Sequence, residues 1–132
     1  MTMSSEFSAN LIFAWAWVLT GIIAGFVLGL KFHLDDWLGG YISLRRRLLR
    51  LAHIALFGMA IINLMFYFTV SHYLLSGTVI SLASWGFILG GVTMPLCCFL
   101  MAADIRTRVL FVIPVFILLL SGSLTLAELL NQ

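Results

Sequence analysis

Charge is what this chain has least of. Only 9% of its 132 residues are Asp, Glu, Lys or Arg, against about 25% in a soluble domain. A surface facing water cannot be built from such a composition, and a mean hydropathy of +1.16 points to lipid as the solvent. Cysteine is scarce too. Cys97 and Cys98 are adjacent within an apolar run, so they form no disulfide framework. The first ten residues contain Glu6 and no Lys or Arg, so they lack the positive n-region of a cleaved signal peptide, and the first span is expected to stay in the mature protein. No lipidation motif is present at either end. The basic residues lie between apolar runs rather than in a stripe, so no nucleic-acid partner is expected.

Acids are also missing from the interior of every long apolar run. Proton-coupled transporters and pumps place an ionisable group in the hydrocarbon, and small four-helix drug exporters depend on a carboxylate in the first span. No His or Asp lies beside a Ser, Thr or Cys at mid-depth, as nucleophilic catalysis would need. The chain is therefore expected not to be an enzyme.

What is there is four apolar runs, at about 8–30, 48–71, 78–101 and 109–130. Each holds the ~20 residues needed to cross ~30 Å of hydrocarbon as a helix. They are too long for the ~10-residue strands of a membrane barrel and do not alternate. The connections are short, so neighbours must run antiparallel. The expectation is one all-α membrane domain over 1–132, an up-down-up-down four-helix bundle.

Lys31, Arg45, Arg46, Arg47, Arg50, Arg106 and Arg108 fall on one side of that bundle, whereas Glu6 and Glu128 fall on the other. The positive-inside rule then puts both termini outside and both basic loops in the cytoplasm, most simply across a bacterial inner membrane. Arg45, Arg46, Arg47 and Arg50 crowd the start of the second span, which is the unfavourable end of a helix for cations. Their expected work is to fix topology and to contact anionic lipid of the inner leaflet, or a partner subunit. Asp35 and Asp36 are expected to pair with nearby arginines.

Several side-chain sets remain. Gly21, Gly25 and Gly29 recur at a spacing of four, as do Gly86 and Gly90 in a stripe with Ala83, Thr93 and Cys97. Such spacing lets helix backbones approach closely, so these glycines are read as packing surfaces. Asn63 is the most polar side chain near the middle of the second span, and an interhelical hydrogen bond is expected of it. His33 and His53 both fall near the basic surface, where two facing imidazoles could hold a b-type haem iron. Met94, Cys97, Cys98 and Met101 share much of one face, a soft donor set suited to Cu(I), but such residues also serve as ordinary apolar filler. Pro95 and Pro114 are expected to bend their helices.

No cofactor is required by this pattern. The expected function is a small non-catalytic subunit packed among other membrane subunits in a larger assembly, with energy transduction as its setting. The alternatives are a haem b electron carrier using His33 and His53, and a facilitator for an apolar solute.

Overall fold

The computed structural model describes residues 7–131. Glu6, counted above on the side opposite the arginines, lies outside them. Four helices cover most of the chain: α1 (Ser8–Phe32), α2 (Leu44–Tyr73), α3 (Thr78–Ala103) and α4 (Val112–Leu130). All four are long and apolar enough to cross a membrane, the fourth together with the 3₁₀ segment Ile105–Phe111 that precedes it. The protein is an all-α, four-helix, multi-pass membrane bundle, and no strand occurs among the described residues.

Local chemistry sets the helix ends. The Ser43 hydroxyl accepts the Arg46 N–H at 3.2 Å, so α2 starts at Leu44. That is four residues before the apolar run begins, because a cap overrides hydropathy at a boundary. Leu74 then takes a left-handed conformation (φ 53°), and the Leu75 N–H returns 3.1 Å to the Val70 carbonyl. Gly77, at φ 107° and ψ 175°, opens α3 in a backbone region that favours glycine. At the other end of α3 the Asp104 carboxylate accepts the Arg106 N–H at 2.9 Å and starts the 3₁₀ segment. Pro114 is the third residue of α4. It occupies the first turn, where its missing N–H removes no helix bond. The chain before it is already 3₁₀, so the irregularity expected at Pro114 precedes it.

The helices are not equivalent. α2 and α3 pack along each other at the centre, α1 lies against α2 and touches α3, and α4 lies against α3. Among the described residues no substantial contact joins α1 to α4. Accordingly 33% and 39% of the apolar windows of α2 and α3 are buried, against 11% for α1 and α4. A core of Phe7, Phe66, Val70, Leu75, Ile80, Ala83 and Phe87 closes the end away from the basic loops. Phe7 meets Phe66 edge to face there, with centroids 6.0 Å apart.

Candidate functional site

The glycine stripes divide into two kinds. A Cβ on Gly21 would stand 2.8 Å from the Phe57 ring, and one on Gly25 would stand 2.6 Å from His53 Nε2. Both glycines therefore seat α1 on α2. On α3, a Cβ on Gly90 would come within 2.5 Å of the Leu118 side chain, and one on Gly86 would collide with the Ser121 hydroxyl. Those two seat α4. Gly91, one residue further round, would meet the Phe13 ring at 2.6 Å and so admits α1. Gly29 differs: nothing lies within 4 Å of its Cβ position. The first stripe therefore packs within the chain over two of its three glycines. Gly58 of α2 and Gly122 of α4 have the same open space beside them.

Where α1, α2 and α3 meet, a closed polar network lies in the core. Asn10 and Asn63 are fully buried. The Asn10 amide donates to Asn63 Oδ1 at 2.9 Å and to the Ser84 carbonyl at 3.3 Å. The Asn63 amide donates to the Met59 carbonyl at 2.9 Å and across to the Phe87 carbonyl at 3.2 Å. The Ser84 hydroxyl donates to Asn10 Oδ1. All four amide N–H groups are thereby used, which is what a medium without water demands. Asn63 thus bridges to both α1 and α3. Asn10 and Ser84 were not singled out from sequence, although Asn10 and Asn63 are two of only three asparagines in the chain.

A second link depends on Pro95. Its missing N–H leaves the carbonyl four residues back, that of Gly91, without a helical partner. The Trp17 indole donates to that carbonyl at 2.9 Å. Phe13 stacks on Trp17 with centroids 4.3 Å apart, and the bare Gly91 leaves room for both. One proline and one glycine on α3 thus form an acceptor for α1.

The histidines do not come together. His53 lies over Gly25 and touches Phe57 edge to face at 5.3 Å. His33 is the cap residue at the end of α1, eight residues beyond Gly25, or about 12 Å at 1.5 Å per residue. Two axial imidazoles must face one iron at one level, so this pair does not fit a shared haem. His53 faces α1 rather than the sulfur set of α3. Cys97 and Cys98 are both buried. The Cys97 thiol points to the Leu110 carbonyl at 3.5 Å. Among the described residues no three His, Cys, Asp or Glu groups converge on a metal position.

The arginines separate as well. Arg46 is buried at 1% exposure, so it is not a surface contact. Its guanidinium donates to the carbonyls of Phe32 at 3.0 Å, Leu34 at 3.3 Å and Asp35 at 3.3 Å. It lies 5.4 Å from both the Phe32 and Trp37 ring centroids. Arg46 starts at the N-terminal end of α2, unfavourable for a cation, but its side chain carries the charge to the C-terminal carbonyls of α1, which favour one. The expected carboxylate partner is replaced by backbone oxygen; Asp35 contributes its carbonyl. Arg50 leans on Tyr41, 4.6 Å from the ring centroid. Arg45 and Arg47 stay exposed.

No protein family, no curated protein and no solved structure matches this chain.

Proposed function

We propose that this protein is a small non-catalytic membrane subunit that packs among other subunits of a larger membrane assembly. The observation that carries this reading is the open space beside Gly29 and Gly58. A glycine in a helix interior costs about 1 kcal/mol relative to alanine. Gly21, Gly25, Gly86, Gly90 and Gly91 offset that cost with close contacts inside the chain. Gly29 and Gly58 do not, and a neighbouring helix of another subunit would supply the missing contact. The buried Asn10, Asn63 and Ser84 support the same reading, because their donors are used on one another and on backbone rather than aimed into a cavity.

The localisation that goes with it is a bacterial inner membrane, with both termini outside and both basic loops cytoplasmic. The support is the one-sided placement of all seven basic residues. Arg47, exposed on α2, is the residue left for anionic lipid or for a partner subunit.

Cross-linking tests the assembly. Gly29→Cys or Gly58→Cys, with Cys97 and Cys98 replaced by serine, is treated with a short bifunctional thiol or thiol–amine reagent in native membranes. A discrete adduct to a different chain is the expected result. Labelling by lipid-soluble maleimide without any protein adduct would put both glycines against lipid and remove the basis of the proposal.

A further inference from the structure

At the basic end of the bundle a groove of about 570 Å³ opens between the start of α2 and the end of α3. Ser43, Leu44 and Arg45 form one wall, and Met101, Asp104 and Ile105 belong to the other. The groove thus carries one cation and one acid on opposing elements, over an apolar lining from Leu44, Met101 and Ile105. Neither charge is neutralised within the chain: among the described residues Arg45 and Asp104 make no ion pair, and the Arg45 guanidinium has no hydrogen-bond partner. Asp104 uses Oδ1 on the Arg106 N–H, which leaves its second oxygen open.

We infer that this groove binds the headgroup of a zwitterionic phospholipid carrying a primary ammonium, such as phosphatidylethanolamine. The groove lies where the apolar runs give way to charged residues, between the start of α2 and the end of α3. Ile42, 85% exposed, and Tyr41 beside it flank α2's start and extend the apolar surface into the same interface. Arg45 offers a guanidinium fork to the phosphate, with the first N–H groups of α2 beside it. Asp104 accepts from the ammonium, which in ethanolamine stands two carbons from the phosphate oxygen. A quaternary choline has no N–H to donate to Asp104, so it satisfies only half of the groove. A purely anionic headgroup meets Arg45 but is repelled by Asp104. The opposed charges therefore select ethanolamine over both. The inference rests on the membrane-spanning fold and not on the subunit proposal, so either can fail without the other.

The test is thermal unfolding of the full chain in nanodiscs of matched acyl chains. The discs contain phosphatidylcholine alone, or with phosphatidylethanolamine, or with phosphatidylglycerol. Ethanolamine lipid should raise Tm over choline lipid by about 4 °C. Arg45→Gln and Asp104→Asn should each abolish that rise; Asp104→Asn keeps an oxygen for the Arg106 N–H, and circular dichroism in choline lipid checks that each variant folds. Soluble phosphoethanolamine at millimolar concentration should give no rise, because the apolar lining then goes unused; a rise would assign the site to a free headgroup and overturn the lipid. A larger rise with phosphatidylglycerol, enhanced by Asp104→Asn, would make the groove a plain anion site. An unchanged ethanolamine effect in both variants, or no lipid effect in any disc, would leave the groove to a protein partner and refute the inference.

Discussion

At the scale of single residues the bundle is joined by polar groups that lipid will not tolerate unpaired. The Gly91 carbonyl is freed by Pro95 and taken by Trp17. This interdependence gives a double-mutant test. Trp17→Phe alone should cost about 1–2 kcal/mol, by leaving a buried carbonyl unpaired. In a Pro95→Ala background the alanine N–H returns to that carbonyl, and Trp17→Phe should cost much less. Thermal unfolding of the four chains of the cycle reads the coupling; additive effects would show that the indole bond does not depend on the carbonyl that Pro95 frees.

Arg46 makes a second residue-level case. Three carbonyls at the end of α1 and two aromatic faces hold its guanidinium. Arg46→Ala should destabilise by about 2–3 kcal/mol, as loss of a charged hydrogen-bond donor does. Arg45→Ala, on an exposed neighbour, should change stability by less than about 0.5 kcal/mol. Denaturation in detergent compares them, and equal effects would contradict the buried geometry. Sequence placed all four arginines together, because pattern counts charges along the chain and does not show that a long side chain turns back to an adjacent helix end. Asn10 escaped notice for a related reason. It lies three residues into α1, where hydropathy reads a flank, and only its partners Asn63 and Ser84 show it to be core.

At the scale of elements, the four spans were fully legible, because lipid requires long uninterrupted apolar helices and the chain has four of them. Their ends were less so. Ser43 starts α2 before the hydrophobic run, and the fourth span begins in 3₁₀ geometry at Ile105. The glycine spacing marked packing faces but could not say which glycines serve this chain. Gly25 and Gly29 share a face in sequence, yet only Gly25 meets a neighbour. Gly25→Leu should therefore lower the stability of the isolated protein by about 1–3 kcal/mol through overpacking on His53. Gly29→Leu should leave it unchanged or raise it by up to about 1 kcal/mol through helix propensity. Unfolding in detergent separates the two; a destabilising Gly29→Leu would mean that α1 packs more tightly near the basic end than described above. The register of the histidines was hidden at this same scale. Two histidines near one surface looked level, but the helix register places Gly25, not His33, opposite His53.

At the scale of the whole molecule, a central α2–α3 pair carries α1 and α4 on its flanks, with no substantial contact between those two among the described residues. Large apolar side chains cover most of the outward surface, among them Ile12, Ile23 and Phe26 on α1. Lipid suffices for those. It does not explain helical glycines left open, and on these the subunit proposal depends. The most direct test is gentle purification from native membranes followed by native mass spectrometry, for the wild type and for Gly29→Leu. The account predicts that the wild-type chain leaves the membrane in a stoichiometric complex with at least one different membrane protein. It predicts that Gly29→Leu is recovered folded but released from that complex. A wild-type chain recovered alone, with Gly29→Leu indistinguishable from it, would contradict the account.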